Sequence, residues 1–280
     1  MRKLQTIMSV FASTKIISSS TCSYSAAASC VVSHMVGTLP SGKSVPGVPV
    51  HALIEPSILS IQKRDLPSSS LETIPLDGAM AFLVRDVVTP AEADELAKFS
   101  THLGFRPEAP GIQTAPGMRE NETVHWILRE DMMEALFHNV CRFLPENIES
   151  RRPLSGLSQR MNVYRYHKGQ QFRDHVDGNW PAYRLNEEKT QMIEVEGKTS
   201  EISMLLYLTD QNDDEKGGQT RLYTHKRDKY VDVAPRKGSA LFFRHGFGSE
   251  SVLHAGRPIM NEGSEKMVAR VNVMYDNHYC

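Results

Sequence analysis

His175 and Asp177 stand two residues apart at the end of the stretch 164–177, YRYHKGQQFRDHVD. On a β-strand, side chains two apart share a face, so an imidazole and a carboxylate would project into one space. A second imidazole from far along the chain would complete a 2-His-1-carboxylate set, and His254, in SVLHAG, is the best candidate. Three such donors suit non-heme Fe(II), because they leave coordination positions open for other ligands. An isolated H-x-D is ordinarily a surface pair on a strand. Its weight here comes from the residues around it.

Upstream lies Y-x-x-G-x-x-F (Tyr166, Gly169, Phe172). Downstream come an alternating run over 202–208, the pair Gly217-Gly218, a run ending in Phe242-Phe243, then His254, and finally Arg270 within VARVNVMY. This order resembles the catalytic domain of the prolyl 4-hydroxylase-like 2-oxoglutarate/Fe(II)-dependent dioxygenases, from about residue 76 to residue 275 and most densely from residue 164 onward. The resemblance implies a double-stranded β-helix (jelly roll) with His175, Asp177 and His254 as metal ligands. It implies an oxidoreductase that uses Fe(II), 2-oxoglutarate and O₂, with L-ascorbate as reductant, to hydroxylate a C–H bond and release succinate and CO₂.

The family also needs a cation for the far carboxylate of 2-oxoglutarate. Arg270, sixteen residues after His254, is the expected one, since a planar guanidinium binds carboxylate through two parallel hydrogen bonds. Lys266 is its rival. Tyr166 and Tyr207 resemble tyrosines that hydrogen-bond 2-oxoglutarate, with core packing as the alternative for each. His245 resembles a position near the end of an apolar strand and reads as a satisfied structural histidine. His167 adjoins Tyr166 and would face away from it.

Around these residues the chain must supply a scaffold. Residues 1–54 contain no Asp or Glu, and Arg2, Lys3, Lys15 and Lys43 lie among many Ser and Thr. Such a leader suits an organellar (mitochondrial) transit peptide. An unaddressed tail on a cytoplasmic protein is the alternative, and a secretory signal is weaker because IMSVFAS is cut short by Lys15. Pro, Ser and Gly remain dense to residue 70, so residues 1–75 read as leader and linker and 76–280 as one domain. GAMAFLVRDVV reads as a strand, Thr89-Pro90 as a helix start, 91–104 as a helix and 120–145 as containing a second. Residues 178–200 are polar and read as a loop that could serve as a lid. Many short strands follow. The fold class is α+β: a jelly-roll core with N-terminal helices packed outside.

Of the 280 residues, 40% are hydrophobic and 23% charged, as in an ordinary globular chain, and the net charge of −1 gives no general pull toward nucleic acid. No stretch reaches membrane-spanning length. The four cysteines form no C-x-x-C pair, which disfavours a disulfide framework or structural zinc. The partner is a peptide, protein or small-molecule substrate, with a peptidyl proline suggested by the resemblance; oligomeric state leaves no mark in the pattern. Two other readings remain open: a jelly-roll binding or sensor module, and a cupin-like metal dioxygenase that uses no 2-oxoglutarate and so needs no deep-pocket cation.

Overall fold

Period-two alternation in the long central strands gives each a face for one of two cores. The computed structural model describes residues 29–38, 44–53, 55, 59–107, 117–148, 152–211 and 217–277. The elements in chain order are β1 (Ser29–Thr38), β2 (Ser44–Leu53), β3 (Leu71–Thr73), β4 (Ala81–Val84), α1 (Pro90–Leu103), β5 (Arg106–Pro107), β6 (Glu122–Ile127), α2 (Glu130–Val140), β7 (Asn147–Ile148), β8 (Arg152–Tyr166) and β9 (Phe172–His175). Then come β10 (Pro181–Leu185), β11 (Met192–Tyr207), β12 (Thr220–Tyr223), β13 (Tyr230–Val233), β14 (Ala240–Arg244), β15 (His254–Gly256) and β16 (Lys266–Asp276).

The strands form two sheets. The larger runs β1-β2-β6-β8-β16-β11-β14-β4-β3, with β10 on β11, β5 on β6 and β7 on β8. The smaller runs β13-β12-β15-β9. One face of the larger sheet offers Met161, Val163, Met204, Leu206, Phe242, Ala269 and Val271 to a core shared with α1 and α2. The opposite face offers Tyr164, Tyr166, Tyr207, Phe243 and Val268 to a core shared with Leu222 and Val233 of the smaller sheet. Two sheets meeting over a shared core are the arrangement of a jelly roll.

The helix boundaries follow from local chemistry. At α1, the Thr89 hydroxyl accepts from the Glu92 backbone while Glu92 accepts from the Thr89 backbone, and Pro90 occupies the first turn. This capping box satisfies two amides that the helix leaves open. Ala93, Leu96 and Phe99 of α1 are buried, and Phe99 meets Trp126 of β6 edge-on at 5.1 Å.

Two expectations change. The linker was expected to run to residue 75, but Leu59, Ile61 and Leu66 sit in the first core, and 71–73 is a strand. Further upstream, β1 and β2 form an antiparallel hairpin, and β2 adds to β6 in parallel. Val32, Val50 and Ala52 of the hairpin pack on Ile127. Short apolar runs such as VPVHAL carry enough burial to outweigh the Pro/Ser-rich composition around them. The leader at 1–28 lies outside the described residues. The expected loop at 178–200 is largely a hairpin: β10 pairs with the first part of β11, which continues unbroken into the core of the sheet. Among the described residues, no helix is long and apolar enough to cross a membrane.

Candidate metal centre

β9 and β15 are antiparallel neighbours, and their register sets His175 directly opposite His254. Asp177 follows two residues beyond the end of β9. One donor atom from each of the three lies within 4.8 Å of the others. His175 Nε2 is 3.7 Å from Asp177 Oδ1, and His254 Nε2 is 3.7 Å from Asp177 Oδ2. Metal–donor bonds of about 2.0–2.2 Å put neighbouring donors about 3 Å apart, so small side-chain rotations would close this set on one ion.

The ring tautomers fit that use. His175 Nδ1 donates to the Arg173 carbonyl at 2.7 Å, and His254 Nδ1 to the Val252 carbonyl at 3.1 Å. Each imidazole thereby keeps its proton on Nδ1 and presents a bare Nε2 inward, as metal ligands require. Burial, with His254 next, pushes His175 down to about 3, and burial lowers His254 as well. Both rings are neutral at physiological pH. Phe172 stacks on His175 with centroids 3.4 Å apart, and Phe243 lies 4.4 Å from His254, so each imidazole packs against an aromatic ring.

Asp177 is held from outside by a directed chain. Ser203 Oγ donates to Asp177 Oδ2 at 2.7 Å. With its proton used there, Ser203 accepts from His245 Nδ1 at 2.8 Å. His245 Nε2 then accepts from Ser200 Oγ at 2.8 Å, and Ser200 Oγ accepts from the Trp180 amide at 2.8 Å. Burial first, and then Arg270, push His245 down to about 3, which keeps it neutral and able to do both jobs. The other carboxylate oxygen, Oδ1, is 3.1 Å from Arg270 Nη1. Burial would raise the Asp177 pKa, but Arg270 foremost, then the three histidines, hold it well below the usual carboxylate range. The Gly246 amide donates to the Asp177 carbonyl at 2.8 Å. Gly246 has φ +108, and a Cβ there would stand 2.6 Å from Asn179 Oδ1, so the position requires glycine.

His175, Asp177, His254 and Arg270 line a cavity of about 300 Å³ between the sheets. Strand register arranges its wall in rows. His125, Asn162, Arg270 and Leu205 stand opposite one another across β6, β8, β16 and β11. The next row holds Thr123, Tyr164, Val268 and Tyr207, and the row beyond pairs Tyr166 with Lys266. Lys266 is buried at this far end, its Nζ 3.4 Å from Thr220 Oγ1 and within 6 Å of the Tyr166 and Tyr207 ring centres. Burial pushes its ammonium down to about 7.

Residues 161–274 match the family described as the 2OG-Fe(II) oxygenase superfamily. The matched segment is similar to a 2OG-Fe(II) oxygenase domain. The match takes in all three donors, Lys266 and Arg270. Among solved structures, a prolyl hydroxylase from Trichoplax adhaerens in complex with a hypoxia inducible factor oxygen degradation domain peptide is 16% identical. It covers 72% of this chain and 86% of its own, with a TM-score of 0.50. A viral collagen prolyl hydroxylase from Paramecium Bursaria Chlorella virus-1 is 17% identical over 72% of this chain and 98% of its own, with a TM-score of 0.47. A Pseudomonas putida prolyl-4-hydroxylase is 16% identical over 71% and 94%, with a TM-score of 0.48. At these identities the likeness is one of fold. No curated protein matches the sequence.

Within the matched segment, Arg270 and Lys266 stand at different depths of the cavity. Arg270 lines the cavity, but its guanidinium is turned onto Asp177 rather than standing at the cavity's far end. Lys266 occupies that end. The two are four residues apart on one strand face, about 13 Å, and only register shows which one is level with the metal ligands. Tyr166 lines the cavity. Tyr207 is wholly buried and donates to Thr220 Oγ1 at 2.9 Å, so it acts on the cavity through Thr220. His245, read as structural, is the centre of the chain that orients Asp177. Its partners Ser200 and Ser203 are common residues in a strand, and only their proximity gives them a role.

Proposed function

We propose that this chain is a 2-oxoglutarate- and Fe(II)-dependent hydroxylase in which His175, Asp177 and His254 hold the metal and Lys266, not Arg270, binds the far carboxylate of 2-oxoglutarate. The observation that carries the reading is the three-donor set and, in the same cavity, a buried ammonium with no carboxylate beside it among the described residues. When bound, Fe(II) and 2-oxoglutarate supply the oxidation of a C–H bond by O₂, with release of succinate and CO₂. Charge supports the pairing. Fe(II) with Asp177 carries one net positive charge and Lys266 another, which together match the two carboxylates of 2-oxoglutarate. The Thr220 hydroxyl, fixed by Tyr207, and the Tyr166 phenol stand beside Lys266 as further hydrogen-bonding groups. The chain from Trp180 to Ser203 holds one Asp177 oxygen in place so that its other orbitals face the ion. Phe172, Phe243 and Tyr164 exclude water around it.

Ascorbate fits as the reductant that keeps the iron ferrous, and it needs no dedicated site. For the substrate we favour a residue within a peptide, proline among them, in keeping with the peptide held by the Trichoplax relative. The leader fits a transit peptide that delivers the domain to an organelle. The cupin-like alternative has no use for Lys266. Purified protein supplied with Fe(II) and 2-oxoglutarate should release succinate. Lys266→Ala should raise the 2-oxoglutarate requirement far more than Arg270→Ala does, and the reverse order would overturn the assignment of Lys266.

A further inference from the structure

Asn162 uses one end of its carboxamide inside the protein and leaves the other open. It stands on β8 in the row of His125, Arg270 and Leu205, and it lines the cavity. Its Oδ1 accepts from His125 Nδ1 at 2.5 Å and from Arg160 Nε at 3.1 Å. The Arg160 bond fixes which end of the amide is oxygen, since a guanidinium only donates and could not face an NH₂ group. Nδ2 is then the free end. It donates to no side chain or carbonyl among the described residues. Unlike Asn272 Oδ1 on the neighbouring strand, it is not sealed away without a partner. Its N–H groups therefore open into the cavity that the residue lines.

The level of this donor decides what it can meet. Arg270, opposite it on β16, reaches Asp177 at 3.1 Å, so Asn162 is level with the metal donors. Lys266 pairs with Tyr166, four residues along β8 and about 13 Å away. A far carboxylate held at Lys266 is out of reach of Asn162, whose neighbour in the loaded site is whatever lies beside the metal. Leu205 ends the row, and Trp180 lines the same cavity with the Arg160 guanidinium 5.2 Å from its ring. A neutral donor flanked by apolar side chains suits a neutral acceptor that brings no proton of its own, which is a carbonyl oxygen. A hydroxyl would bring a proton, whereas Asn162 Oδ1 and Asp177 Oδ2 already accept from other groups. A substrate that sealed the cavity without offering an acceptor would leave a buried donor unpaired, which is costly.

We propose that Asn162 Nδ2 is a substrate subsite for an amide carbonyl, so that the hydroxylated carbon belongs to a carboxamide-bearing substrate. The carbonyl can come from the backbone of a peptide or from a small amide. The inference rests on the oxygenase reading and adds to it the substrate group that is held beside the metal.

Mn(II) without O₂ holds such a site without turnover, so binding can be read alone. Protein saturated with Mn(II) and 2-oxoglutarate is offered two sets of probes. One is a pool of uncharged peptides; the other is the N-acetyl amides of the uncharged amino acids. Retention is measured by ultrafiltration and mass spectrometry. At least one probe should be retained, and the set to which it belongs identifies the source. Asn162→Asp has nearly the same shape and keeps an oxygen toward His125 and Arg160, but it has no N–H to offer. Retention of that probe should fall about tenfold or more, while 2-oxoglutarate affinity at saturating Mn(II) changes less than about threefold. Asn162→Leu, which adds no charge, should show the same loss. A purely structural Asn162 predicts a different pattern, with the aspartate tolerated and only the leucine harmful.

No retention of any probe by the wild-type protein, or retention that survives in Asn162→Asp, would overturn the proposal. So would a loss of 2-oxoglutarate affinity in both variants as large as the loss of the probe, because the amide would then serve the cosubstrate. Failure of the wild-type protein to bind 2-oxoglutarate in the presence of Mn(II) would instead strike the oxygenase reading on which the proposal rests.

Discussion

Raising the pH should weaken 2-oxoglutarate binding through Lys266 alone. Its ammonium sits at the far end of the cavity, pushed down to about 7 by burial, with no carboxylate beside it among the described residues. A ligand carboxylate favours the charged form and would return the group toward its ordinary value near 10.5. Binding then takes up a proton wherever the free protein has lost it. Linkage makes the dissociation constant rise toward tenfold per pH unit above about 7, or about 25-fold between pH 6.5 and 8.5. Burial holds His175 neutral across that window and lowers His254 as well. Calorimetry on Mn(II)-loaded protein without O₂, in buffers of different ionisation enthalpy, reads both the affinity and the proton uptake. Uptake should approach one proton per ligand by pH 8.5. Lys266→Arg, whose charge does not titrate here, should bind with little pH dependence. The unliganded protein carries the opposite dependence. Its folded-state pKa is lowered, so the unfolded chain binds the extra proton between about pH 7 and 10.5, and stability should rise with pH across that window. A wild-type dissociation constant that stays flat from pH 6.5 to 8.5, or one whose slope persists in Lys266→Met, would refute the reasoning.

Two further predictions test the support around the donors and the extent of the domain. Ser203→Ala removes the 2.7 Å hydrogen bond to Asp177 Oδ2 and cuts His245 out of the chain; metal affinity should fall about 10–100-fold with circular dichroism unchanged, and unaltered affinity would show that Asp177 needs no outer partner. Truncation before residue 29 should leave the melting temperature intact. Truncation before residue 76 strips Leu59, Ile61, Leu66 and Ile74 from the two main cores and should give insoluble or strongly destabilised protein; a soluble product with an unchanged melting temperature would contradict the packing of that segment.

That His175, Asp177 and His254 come together was legible because residue type and spacing both speak for it: few side chains bind iron, and H-x-D followed by a distant His is a sparse pattern. The helix start at Thr89-Pro90 was legible for a similar reason, since a cap is a local event. Which cation lies at the cavity's far end was not. Lys266 and Arg270 share a strand face, and their levels relative to Asp177 depend on how β16 registers against β8 and β11. Long-range register leaves no local trace. The hairpin of β1 and β2 was hidden differently, because its apolar runs are short and lie among Pro, Gly and Ser, and only pairing with β6 makes them strands. The hairpin of β10 and β11 was hidden by its polar side chains, which are compatible with a strand that lies away from the core.

Anaerobic titration of the purified protein with Fe(II) and 2-oxoglutarate tests the central claim most directly. One equivalent of each should bind per chain, the 2-oxoglutarate only once the metal is present, and His175→Ala, Asp177→Ala and His254→Ala should each abolish the pair. Binding of 2-oxoglutarate without metal at undiminished affinity, or an iron site that survives in His254→Ala, would contradict it.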